Sequence, residues 1–160
     1  MTAEILDSSA IGQLLAHRFP FQLVDRMSIM GRGRRVVGTK RVSTGEWWCN
    51  PIAPRLTPMP FSLIIEALAQ TSGALLRDLT DGNTGGLAYF MGADKVRLRR
   101  PAYPGEELKL AVELVQWRRG VCRTRAMATI DGELVARALL TTIVARAKPS
   151  GSPVTASTSP

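Results

Sequence analysis

The chain of 160 residues is poor in cysteine, histidine and aromatic side chains, and each shortage narrows what it can be. Cys49 and Cys122 are its two cysteines, with no Cys-x-x-Cys pair. No disulfide framework is expected, and a reducing cytoplasm is the default location. There is no apolar run of the roughly eighteen residues that a membrane span requires. The segment from Met1 to Gln13 carries Glu4 and Asp7 and lacks a basic start followed by an apolar core, so no secretory signal is expected.

Aromatics make up 6% of the chain, and none sits within the arginine clusters as a stacking platform. That argues against nucleic acid as the partner of a protein whose net charge is +8. The charge then suits either an ordinary basic surface or an acidic protein partner. Hydrophobic residues at 45% and charged residues at 21% are ordinary for a globular protein, and a chain of this length makes one domain. We expect that domain over residues 1–147. The Ser/Thr/Pro/Gly-rich stretch 148–160 should be a disordered tail, because it has too little apolar surface to offset chain entropy.

The order of elements is legible. Residues 5–15 read as a short helix, then Phe21 to Ile29 and Arg34 to Ser43 as strands around the Gly31–Gly33 turn. A proline-rich loop, Trp47 to Met59, leads to Pro60, which opens a helix running to about Leu79. Leu108, Leu110, Val112 and Leu114 alternate with polar or small residues, the mark of a half-buried strand. Cys122 to Ile130 alternates with Arg123 and Arg125, Asp131-Gly132 makes a hairpin turn, and Leu134 to Ala145 forms the next strand. The expected class is α+β, with three or four consecutive antiparallel strands curved around one long central helix.

That helix carries the chemistry. FSLIIEALAQTSGALL (61–76) is apolar nearly all round, so it should be buried. Ser62, Glu66 and Gln70 recur every four residues on one face. A carboxylate there needs a partner or a raised pKa, and it is a candidate general acid or base. The structural alternative is a Glu66 satisfied by a backbone amide or by an arginine across a dimer interface. Gln70 is expected to orient Glu66 or to pair across the interface, and Ser62 is a nucleophile only with a base beside it.

HRFPFQLVDR (17–26), LIIEALAQ (63–70), YFMGADKVRLRRPAYPGEELKLAVEL (89–114) and RRGVCRTRAMATIDGELVARALL (118–140) together resemble the FabZ-type 3-hydroxyacyl-acyl-carrier-protein dehydratases. The resemblance covers about residues 11–145 in order. It implies a hot-dog fold that dimerises into a continuous sheet. It also implies an acyl substrate on the phosphopantetheine arm of an acyl carrier protein, with no metal or organic cofactor. Such enzymes use a histidine from one subunit and a glutamate from the other. Glu66 matches the glutamate, but Ile52 stands where the histidine belongs. Arg55 and Phe61 stand where the family has glycines.

Isoleucine cannot exchange a proton, so unaided dehydration by the family's usual route is not expected. The sole histidine, His17, belongs to the HR-PF motif near the acyl tunnel. Its expected role is structural or tunnel-lining, with a substitute base as the alternative. The resemblance places Ile52, Phe61, Gln70, Gly73 and Phe90 with His17 around the substrate. Cys49, beside the altered loop, is read as packing. Lys95, Arg97, Arg99 and Arg100 are the expected docking patch for an acidic carrier protein, against a solvated strand edge.

Three functions follow. The first is a dehydratase-like subunit in fatty acid, polyketide or polyene biosynthesis that supplies Glu66 to a composite site with a His-bearing homologue. The second is a hot-dog thioesterase using Glu66 as base or nucleophile. The third is a non-catalytic protein that binds the acyl carrier.

Overall fold

The computed structural model describes residues 4–50, 52, 55–80 and 88–144. The expected tail, 148–160, lies outside the described residues. The elements run β1 (Glu4–Leu6), α1 (Ser8–Leu14), β2 (Arg26–Gly31), β3 (Arg35–Arg41), α2 (Phe61–Leu79), β4 (Ala88–Leu98), β5 (Glu107–Arg118), β6 (Val121–Ile130) and β7 (Glu133–Val144). They form one seven-stranded antiparallel sheet in the order β1-β2-β3-β5-β6-β7-β4. Bulges in β2, β4, β5 and β7 bend the strands, and the curved sheet wraps α2 as a hot dog.

The core lies between α2 and the inward residues of the sheet. Leu63, Ile64, Leu68 and Leu75 of the helix meet Val36, Leu108, Leu110, Val112, Ala126 and Leu140. Each buried leucine or isoleucine contributes roughly 2 kcal/mol. The helix approaches β3 closely because Gly38 has no side chain: a Cβ there would stand 2.5 Å from Thr71 Oγ1. The hairpins β5–β6 and β6–β7 turn on Arg119-Gly120 and Asp131-Gly132, with φ positive at all four residues, as a two-residue turn of the primed type demands.

The structure departs from the sequence reading in three places. Residues 5–15 are not one helix. Glu4–Leu6 pairs with β2, and the helix starts only after Asp7, whose side chain accepts from Ala10 N at 2.8 Å. The first long strand begins at Arg26 rather than Phe21, because the backbone at Phe21 and Leu23 bonds to a helix side chain instead of a neighbouring strand. Finally, β4 has no inward face of its own. Its residues are exposed or half-exposed throughout, so it shows none of the alternation that marks β5 and β6.

Candidate active site

The polar stripe of α2 is graded by depth. Ser62 is exposed near the helix start, Glu66 is half-buried one turn later, and Gln70 is buried one turn beyond that. Phe61 is exposed beside Ser62, and Ile65 and Ala69 are half-buried beside Glu66, so this side of the helix is its open seam. Glu66 therefore sits at the seam's mid-depth, where water is only partly excluded.

Gln70 fixes the carboxylate. Its Nε2 donates to Glu66 Oε1 at 2.9 Å and to Phe21 O at 2.7 Å, while its Oε1 accepts from Leu23 N at 3.0 Å. The amide thus uses both donors and an acceptor to tie the segment 21–23 to the helix. That tie carries His17 to the seam, and His17 Nε2 lies 3.2 Å from Glu66 Oε1. The backbone before it is set by Arg18, whose Nη1 donates to Leu15 O at 2.6 Å and to His17 O at 2.8 Å. A histidine and a glutamate of one chain are therefore within hydrogen-bond reach, a juxtaposition that sequence spacing gives no hint of.

The loop before α2 is anchored at its base. Lys40, almost fully buried on β3, pairs with Glu46 and lies 3.9 Å from Asp25 and 5.9 Å from the Trp48 ring centroid. Phe21 stacks on Trp47 with centroids 5.7 Å apart. Cys49 Sγ lies beside the carbonyls of Ser43 and Thr57, in keeping with a packing role. Ile52 is 90% exposed, and its amide donates to Asn50 Oδ1. Phe61 opens the helix with its side chain partly exposed. Neither residue carries a group able to exchange a proton. Burial pushes the other thiol, Cys122, up to about 11, which leaves it unreactive near neutrality.

The remaining expected site residues lie apart. Gly73 faces α1: a Cβ there would stand 2.7 Å from Leu15 Cδ2, so its service in this chain is to let the two helices approach. Phe90 is half-exposed on β4, with Tyr89, Met91, Val96 and Leu98 also exposed along that edge. Of the four basic residues expected to form one patch, Arg100 is already engaged. It pairs with Glu106 at 2.7 Å and lies 3.8 Å from Glu133. Lys95 and Arg97 instead line a groove of about 750 Å³ with Arg125 and Arg137, outward residues of β6 and β7 that the sequence reading missed. Their outward places in alternating strands were the available signal. No three His, Cys, Asp or Glu side chains gather as metal ligands among the described residues, and no helix there is long and apolar enough to cross a membrane.

Comparison with known proteins joins these features to a family. The FabA-like domain matches residues 15–139. The 3-hydroxyacyl-[acyl-carrier-protein] dehydratase FabZ of Bacillus subtilis is 39% identical over 137 residues, spanning 86% of this chain and 96% of that protein. The FabZ of Syntrophotalea carbinolica is 43% identical over 145 residues, spanning 91% and 97%. Among solved structures, the dehydratase heterocomplex ApeI:P from Xenorhabdus doucetiae superposes with a TM-score of 0.68 at 18% identity, over 84% of this chain and 90% of that one. A hypothetical thioesterase protein with coenzyme A from Streptococcus pneumoniae gives 0.58 at 19% identity, over 74% and 85%. Those two likenesses show the shared fold, while the sequence matches cover nearly the whole of each relative: the chain belongs to the FabA-like family, beside the FabZ dehydratases.

Proposed function

We propose that this chain is the glutamate-bearing subunit of a dehydratase acting on 3-hydroxyacyl groups carried by an acyl carrier protein. The observation that carries the reading is the contrast at the site. Glu66 is held in place by Gln70 at the open seam of α2, while the family's histidine position is filled by exposed Ile52. A carboxyl in that position is suited to protonate the leaving hydroxyl, but the proton on the neighbouring carbon needs a base. A histidine-bearing homologue pairing along β4 supplies it, giving one composite site per mixed dimer. The exposed apolar residues of this edge strand support that pairing, since a lone protein leaves such an edge open to association.

The acyl chain arrives on phosphopantetheine, and no other cofactor enters the scheme. The acidic carrier docks on the basic face that includes Lys95, Arg97 and Arg99, in the reducing cytoplasm. The fatty acid, polyketide or polyene setting is a matter of which carrier is presented.

The test uses a FabZ-type subunit whose own helix glutamate has been changed to glutamine, mixed with this chain and a 3-hydroxyacyl carrier protein. Intact-protein mass spectrometry is expected to show loss of one water from the acyl carrier, and Glu66→Gln in this chain abolishes it. An unchanged rate with Glu66→Gln sinks the proposal. Release of the whole acyl group by this chain alone would replace it with thioesterase chemistry.

A further inference from the structure

We propose that His17 is the proton relay of Glu66: it acts through the carboxyl and links it to solvent. The inference rests on the reading above that Glu66 is the acid of the site. Three observations carry it. The two side chains are 3.2 Å apart, with Nε2 facing Oε1. Two bare acceptors gain nothing at that distance, so a proton lies between them, on the imidazole or on the carboxyl. The exposure is also graded, 42% for the His17 side chain and 29% for Glu66. The imidazole thus meets both solvent and carboxyl, while the carboxyl meets the substrate. Third, Gln70 holds both ends, donating to Glu66 and to Phe21 O, so the contact is fixed by the same amide that orients the acid.

The other charged group recorded beside His17 is Arg18, and its guanidinium is turned to the carbonyls of Leu15 and His17. No other acid or base pairs with Glu66 among the described residues. Histidine is the side chain whose ordinary proton exchange falls between about pH 5 and 8, which suits it to this traffic.

The proton balance is simple. The base of the partner homologue takes the proton from the carbon next to the thioester carbonyl. The electron pair of that C–H bond forms the new double bond as the C–O bond at the third carbon breaks. The departing hydroxyl takes a proton from the Glu66 carboxyl and leaves as water. The imidazole of His17 then takes a proton from solvent and passes one on to the Glu66 carboxylate, and the partner's base gives its proton up to solvent.

A single histidine makes the test unusually direct. The ring-nitrogen signals of His17 in labelled protein are expected to move at constant pH on Glu66→Gln, a readout that needs no turnover and no partner. Unchanged signals would overturn the proposal. In the mixed-subunit assay, His17→Ala is expected to lower kcat at least ~10-fold with KM little changed, and added imidazole restores most of the rate, because the vacated site is half-open to solvent. A rate within twofold of the parent overturns the relay, as does a loss that imidazole leaves untouched in a folded variant. Glu66→Gln run beside it separates the two failures: a mixture still active with that variant overturns the reading of Glu66 itself.

Discussion

The helix seam and the loop that precedes it are built in opposite ways. On the seam the deeper polar groups have partners: Gln70 uses its whole amide, Glu66 shares one oxygen with Gln70 and His17, and Gly73 lets Leu15 close over the far end. Among the described residues the loop is braced at its base, through Lys40, Glu46 and the stacked Phe21–Trp47 pair, and Ile52 is exposed. Gln70 on the seam is held by packing and three hydrogen bonds, whereas Ile52 has one amide contact among the described residues. The seam thus holds Glu66 with its supports, while Ile52 of the loop offers no group that exchanges a proton.

Mutations should reproduce that asymmetry. Gln70→Leu keeps the volume but strands the buried Leu23 amide and frees the part-buried Phe21 carbonyl, so it is expected to cost about 2 kcal/mol in urea unfolding. A cost below about 1 kcal/mol would mean the amide is not the clamp. Glu46→Gln leaves Lys40 buried beside the more distant Asp25, and about 2 kcal/mol is expected because Glu46 itself is partly hydrated. If its effect exceeded that of Gln70→Leu, the loop base would be the tighter of the two regions. Gly73→Ala pushes on the flexible end of Leu15, and roughly 1 kcal/mol is expected by thermal unfolding. Ile52→Ala should change stability by less than about 0.5 kcal/mol, since the side chain is exposed. A large loss there would erase the contrast between the regions.

What could be read from the sequence follows the same line. The alternation of β5 and β6 and the dense apolar run of α2 report burial, so the strands, the helix and Glu66 were visible where one face meets the core. Gln70 was placed correctly beside Glu66 because four-residue spacing on a helix fixes neighbours. The edge strand β4 left no such trace, as neither of its faces is buried within this chain. The His17–Glu66 contact was invisible because a side-chain clamp, not a strand pairing, brings residue 17 to the helix. The sequence places Arg100 in the expected docking patch and gives no sign of its ion pairs, because the acids that hold it, Glu106 and Glu133, come from a turn and another strand.

The most direct test of the account is to give this chain, by itself, a 3-hydroxyacyl carrier protein and weigh the carrier before and after. The account predicts no change in mass without a histidine-bearing subunit and loss of one water when that subunit is added. Loss of one water at the same rate with and without it would contradict the account, because the chain would then hold a complete site.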